Sequence, residues 1–211
     1  MKLNKLIAIA TISLLSGGIS MAQKALNLED IVAGNIIQTK GIGSMTWLKD
    51  GERYSRLENN KQTGGTDIVA YRAKDNSREV IIPSSLLTDK STGRPIPVRS
   101  VSWSADNEKV LIYNNTRRVW RYDTRGDYWV LNLKDGALRQ LGKGMPESSM
   151  MFAKFSPDGT RVAYVSNNNI YVEDIDSGKI TQLTKDGSDT IVNGTFDWVY
   201  EAVSYTHLRA H

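Results

Sequence analysis

Residues able to carry out acid–base or nucleophilic chemistry are few in this chain of 211 residues, and they cluster at one end. Both histidines, His207 and His211, stand within the last five positions, and there is no cysteine. An acyl-transfer triad needs a base that takes the serine proton and returns it to the leaving group. Residues 1 to 201 offer no histidine for that task, and no G-x-S-x-G nucleophile elbow occurs anywhere. No clustered His or Cys could bind a metal, and the aspartates fall in turn-like contexts, so neither a metal nor an organic cofactor is implied. What remains is an arginine group, Arg117, Arg118, Arg121 and Arg125, whose plainest role is a solvated turn or strand edge, and a late acidic run, Asp197-Trp198-Val199-Tyr200-Glu201.

Three segments that could position such residues repeat along the chain: "MTWLKDGERYSRL" from Met45, "VSWSADNEKVLIY" from Val101 and "AKFSPDGTRVAYV" from Ala153. Their aromatic residues, Trp47, Trp103 and Phe155, recur at intervals of 56 and 52 residues. In each segment the turn step, Asp50-Gly51, Asp106-Asn107 or Asp158-Gly159, tolerates the positive φ of a tight hairpin, and the flanking alternation puts every second side chain on one face. A second hairpin follows in each unit, turning at Asp75-Asn76, Asp135-Gly136 and Ser177-Gly178. Four strands per unit at this period predict an all-β fold, an incomplete β-propeller of about three four-stranded blades. A β-sandwich would also show short strands and frequent turns, but it needs no fixed long period. Trp47, Trp103 and Phe155 are expected to pack between blades rather than to form a ligand cage, and the recurrent aspartates to act as turn formers before acids or metal ligands. Since propellers close with four to eight blades, three units read as an arc of a longer ring.

Composition agrees with a globular chain, at 8% aromatic and 24% charged residues. The net charge of +4 includes Lys2, Lys5 and Arg209, which lie outside the repeats; residues 23 to 201 carry 24 basic against 23 acidic groups. A nucleic-acid partner is therefore not expected. Residues 1–22 read as a signal peptide, with Lys2 and Lys5 before an apolar run from Leu6 to Leu15 and small residues at Ser20 and Ala22. The competing reading, a membrane anchor, needs a longer span, so no membrane span is expected after cleavage. Export without disulfides suggests a bacterial periplasmic or secreted protein.

The run from Asn167 to Glu201, "NNNIYVEDIDSGKITQLTKDGSDTIVNGTFDWVYE", resembles the N-terminal β-propeller of the dipeptidyl peptidase IV family of serine exopeptidases, whose hallmark is a "DWVYEEE"-type motif. "VWRYDTRGDYWVLNL" is similar to the family's arginine-bearing blade, and "LNLEDIVAGN" to its usual start after the signal. The likeness runs from about Leu26 to Glu201. It implies a parent that removes dipeptides from the free amino end of a peptide, with proline or alanine preferred second. It further implies a C-terminal α/β-hydrolase domain carrying the Ser, Asp and His triad, and commonly a homodimer.

In such a family the propeller supplies two glutamates for the substrate ammonium and an arginine for the carbonyl between the first two residues. The acids act as a ruler that brings only the second peptide bond to the nucleophile. The resemblance puts the arginine at Arg121, whose alternative role is an ordinary surface or inter-blade salt bridge. Glu201 matches the first acid of the motif, while the two ammonium-binding acids align with Ala202 and Val203, which carry no charge. Residues 202–211, "AVSYTHLRAH", match nothing earlier. They could be a divergent loop, a local substitution or foreign sequence joined at Glu201, and the abrupt loss of the motif favours the last.

The expected organisation is thus a signal peptide at 1–22, a partial propeller at 23–201 and a foreign tail at 202–211. This 211-residue chain by itself is not expected to hydrolyse peptides. Two rivals stand beside the peptidase reading: a non-catalytic periplasmic propeller that binds proteins, like the Tol-system propellers, and a propeller glycosidase using paired carboxylates.

Overall fold

The computed structural model describes residues 28, 43–119 and 122–195. The chain divides into two units, Met1–Gly41 and Ile42–His211, and every element below lies in the second. Fourteen strands are present among the described residues: β1 (Met45–Trp47), β2 (Arg53–Asn59), β3 (Thr66–Arg72), β4 (Arg78–Ile82), β5 (Thr88–Asp89), β6 (Arg94–Pro95), β7 (Ser100–Trp103), β8 (Lys109–Val119), β9 (Tyr122–Asn132), β10 (Leu138–Gln140), β11 (Met151–Phe155), β12 (Arg161–Ser166), β13 (Asn169–Asp174) and β14 (Ile180–Gln182). They form three four-stranded antiparallel sheets, β1 to β4, β7 to β10 and β11 to β14, each a simple meander, plus the small β5–β6 ladder. The expected fold class, all-β with three four-stranded blades of a propeller, is what the chain adopts.

Local chemistry explains the meanders. All six expected turns hold a left-handed residue at the predicted place: Gly51 (φ 69°), Asn76 (φ 55°), Asn107 (φ 60°), Gly136 (φ 66°), Gly159 (φ 66°) and Gly178 (φ 71°). The aspartate before each turn locks it by accepting backbone N–H groups. Asp50 accepts from Glu52 and Arg53 at 3.0 Å, Asp106 from Glu108 at 3.0 Å and Asp158 from Thr160 at 3.0 Å. These aspartates are turn formers, as expected.

The sheets are joined by alternation along single strands. Val110 and Ile112 of β8 and Leu131 of β9 pack with Ile68, Ile82 and Leu87 of the first sheet and its exit. The intervening Leu111, with Tyr128 and Val130 of β9, packs instead with Val162, Tyr164 and Ile175 of the third sheet. The middle sheet is therefore covered on both faces, each buried aliphatic side chain contributing about 1.5–3 kcal/mol. Trp103 packs into the first junction and its indole N–H donates to Ser55 Oγ at 3.1 Å, while Phe155 packs into the second. Trp47 departs from this pattern. It is 56% exposed and meets Tyr54 edge-on at 5.9 Å, because among the described residues no sheet lies against it.

Polar side chains also hold the blades. Glu173 is 2% exposed, and its carboxylate accepts the Gly142 N–H of the middle blade at 2.8 Å and lies 3.4 Å from the Arg139 guanidinium. The third strand of each sheet carries a buried acceptor that fixes the segment leaving that sheet. Asp67 accepts the Ser84 N–H at 2.7 Å, Asp127 the Ser148 N–H at 2.8 Å and Asn169 the Gly187 N–H at 3.0 Å.

Candidate functional site

The middle sheet departs from its neighbours in one respect. β8 and β9 are eleven residues each, while their flanking strands β7 and β10 have four and three. The β7 ladder ends at Tyr113 and the β10 ladder at Trp129. From Asn114 to Val119 and from Tyr122 to Asp127 the two strands pair with each other and, apart from a single bridge of Gly126 to Met150, with no other described strand, with register shifts at Asn114/Arg117 and Arg117/Arg118. The result is a bulged two-stranded ribbon standing out from the sheet, roughly 20 Å long at ordinary strand rise. Its last described pair is Val119 opposite Tyr122, and Trp120 and Arg121 lie between them, outside the described residues.

Three contacts set the base of the ribbon. Tyr113 stacks on Tyr128 with ring centroids 4.8 Å apart, and its hydroxyl donates to the Asp123 carbonyl at 2.8 Å. Burial pushes the Tyr113 hydroxyl well above its usual range, so it stays a neutral donor across ordinary pH. Gly126 permits this approach, because a Cβ there would fall 2.4 Å from the Tyr113 ring. On the side of the segment entering β7, Arg99 pairs with Asp123 at 3.1 Å. On the other, Gly126 and Met150 exchange backbone hydrogen bonds of 3.0 and 3.1 Å, tying the ribbon to the lead-in of β11.

Beside the ribbon base is an open cavity of about 570 Å³, lined among others by Arg99, Asn114, Asn115, Asp127, Trp129 and Gln140. Asn114 is buried and its Oδ1 has no hydrogen-bond partner among the described residues. The ribbon itself is cationic, with Arg117 directly opposite Arg125. Like charges in that register cost stability, but they suit a surface that meets carbonyl or carboxylate oxygens.

Of the sequence-predicted site residues, Arg121 lies between two described strands but outside the described set, as do Glu201, the rest of the acidic run and the tail; residues 1–22 are outside it too. Arg117, Arg118 and Arg125 are on the ribbon, in keeping with the strand-edge role expected of them. Sequence reasoning missed the ribbon and its base. Its polar stretch from Asn114 to Thr116 gives no alternation to follow, and Tyr113, Asp127 and Ser148 carry no motif. Among the described residues no group of three His, Cys, Asp or Glu side chains could hold a metal ion, and no helix is long and apolar enough to cross a membrane.

Comparison with known proteins places this geometry. Residues 104–203 match the family model described as the dipeptidyl peptidase IV (DPP IV) N-terminal region. A probable dipeptidyl-aminopeptidase B of Aspergillus terreus is 28% identical over 195 residues, covering 88% of this chain and 21% of the relative. Its counterpart in Chaetomium globosum is 35% identical over 101 residues, 48% of this chain and 11% of the relative. The crystal structure of Porphyromonas gingivalis dipeptidyl peptidase 4 superposes with a TM-score of 0.66 at 24% identity, covering 85% of this chain and 25% of that one, a likeness of fold. The chain spans about a fifth of the length of the Aspergillus relative. By the match of residues 104–203 and the blades that carry them, this stretch of the chain is similar to the N-terminal region of the dipeptidyl peptidase IV family.

Proposed function

We propose that this segment is the substrate-gating and amine-orienting part of a serine-type dipeptidyl peptidase, which releases dipeptides from a free N-terminus with proline or alanine second. The observation that carries the reading is the ribbon of β8 and β9, which lies within the matched residues and has Arg121 between its two strands. A guanidinium there is the binder of the carbonyl between the first two substrate residues. It suits that role because it is a planar donor that stays charged at any working pH. Glu201 is the second substrate-binding residue in this reading.

Chemistry comes from a C-terminal α/β-hydrolase domain of the complete protein, which pairs as a homodimer. The protein is exported by residues 1–22, and residues 23–201 are part of its propeller. Residues 202–211 are foreign to it, and two glutamates follow Glu201 in the native frame to hold the substrate ammonium.

The test is to read the source gene across the codon for Glu201 and assay the complete product on Ala-Pro and Gly-Pro anilides. Two further glutamates, a late hydrolase domain, and dipeptide release that Arg121→Ala weakens through KM would uphold the reading. A true stop after His211, with no dipeptide release, would replace it with a non-catalytic binding propeller.

A further inference from the structure

We propose that Asn115, Asp127 and Ser148 form a hydrogen-bonded ring that aims the β8–β9 ribbon, and are thereby positioning residues for the group at its tip. The inference rests on the reading of Arg121 above, and it deepens that reading by naming what holds the arginine's strand pair in place.

The ring closes through three bonds. Asn115 Nδ2 donates to Asp127 Oδ2 at 2.7 Å, the Ser148 N–H donates to Asp127 Oδ1 at 2.8 Å, and the Ser148 hydroxyl donates to the Asn115 carbonyl at 2.6 Å. A fourth bond, from Asn115 Nδ2 to Glu147 Oε1 at 2.7 Å, adds a second carboxylate. Asn115 opens the ribbon on β8, Asp127 closes it on β9, and Ser148 belongs to the segment leading into β11. The ring therefore fixes the ribbon against the entry to the next blade, beside the Gly126–Met150 backbone bridge.

Two features separate this ring from ordinary packing. Asn115 and Ser148 both adopt left-handed backbone, at φ 43° and 52°. That conformation is unfavourable for any residue with a Cβ and persists where the surroundings over-determine it. The first blade supplies an internal control. There Asp67 binds Asn60 Nδ2 at 3.0 Å and the Ser84 N–H at 2.7 Å, yet neither Asn60 nor Ser84 has positive φ, and β2 and β3 end without a ribbon. The same carboxylate device is strained only where a ribbon leaves the sheet.

Asn115→Gly keeps the left-handed backbone available and removes only the amide, so it separates aiming from folding. Ser148→Ala removes the hydroxyl bond. In the complete protein, each is expected to raise KM for Gly-Pro anilide roughly tenfold with kcat little changed, as misplacement of a binding group does. Hydrogen exchange in residues 114–127 should quicken about tenfold while β2–β3 and β12–β13 keep their protection. An unchanged KM in both variants where Arg121→Ala raises it would overturn the proposal, as would a uniform loss of protection across all three sheets. If Arg121→Ala itself leaves KM unchanged, the functional reading fails instead. Exchange then decides the ring alone: selective loss in 114–127 upholds it, and retained protection there overturns it.

Discussion

The Glu173 carboxylate, on the third sheet, takes the backbone N–H of Gly142 from the second at 2.8 Å. The same oxygen is 3.3 Å from the Tyr164 hydroxyl, and the other faces Arg139 at 3.4 Å. One buried acid thus serves a peptide group, a phenol and a guanidinium across a blade junction. Truncating it strands the peptide group and the phenol, while Arg139 keeps only its bond to the Asp174 carbonyl at 3.2 Å. Glu173→Ala is expected to cost about 3–5 kcal/mol in denaturant melts. Glu173→Gln, which still accepts one bond, should cost less, about 1–3 kcal/mol. Equal losses in the two variants would show that charge, not hydrogen bonding, is what the junction uses.

At Gly126 the constraint is space. An added Cβ would sit 2.4 Å from the Tyr113 ring and 2.6 Å from the Asn114 carbonyl oxygen, and the latter is backbone that cannot swing aside. Gly126→Ala should therefore cost about 2–3 kcal/mol, as overpacking does, and should loosen the ribbon by displacing Tyr113 from the Asp123 carbonyl. A thermal melt read together with amide exchange at residues 113–127 checks both parts.

Gly51 poses the opposite case. Nothing lies within 4 Å of a Cβ added there, so Gly51→Ala tests the left-handed backbone, φ 69°, without any clash. The expected loss is about 1–2 kcal/mol. Gly51→Asn should be milder, because Asn107 already occupies the matching turn of the middle blade at φ 60°. Chemical denaturation of the two variants, compared with the parent chain, reads the difference.

Acid should weaken the turns in a defined window. The Arg53 guanidinium holds the Asp50 carboxyl down at about 2, and the hydroxyls of Ser104 and Ser156 do the same for Asp106 and Asp158. An unfolded aspartate titrates near 4, or about 3.9. Because the folded values are depressed, the turns' contribution is fully present above that point and is lost as pH falls through about 2. Stability measured by urea between pH 5 and pH 2 should decline, and Asp158→Asn should flatten part of the slope while differing little from the parent at the acid end. A slope unaltered by that substitution would assign the decline to other carboxylates.

How much of this was legible in the sequence depends on the range of the interaction. The turns at Gly51, Asn76, Asn107, Gly136, Gly159 and Gly178 were readable because a residue's own φ and an aspartate no more than four positions before it decide them. Trp103 and Phe155 were readable as blade packing from their repeat. Trp47 shares that repeat but has no neighbouring sheet among the described residues, and periodicity alone does not distinguish the two cases. Glu173 was invisible, since its partners Gly142 and Arg139 lie more than thirty residues away. Asp67 and Asp127 resemble any other strand acid until Ser84 and Ser148 come back to meet them. Arg121 and Glu201 came only through family likeness, because a lone arginine or glutamate has no spacing to interpret.

The strict alternation of β8 has a consequence for how such a chain can change over time. Val110 and Ile112 belong to one junction and Leu111 to the other, and the two clusters share no residue. Each interface can therefore be rewritten as a unit while the opposite side of the same strand stays as it was. The three repeats bear that mark: their turns are spelled almost alike, yet the positions of Val110 and Ile112 are Tyr54 and Arg56 in the first blade and Val162 and Tyr164 in the third. The hairpins behave as a shared grammar, and the faces between blades as separate vocabularies free to drift apart.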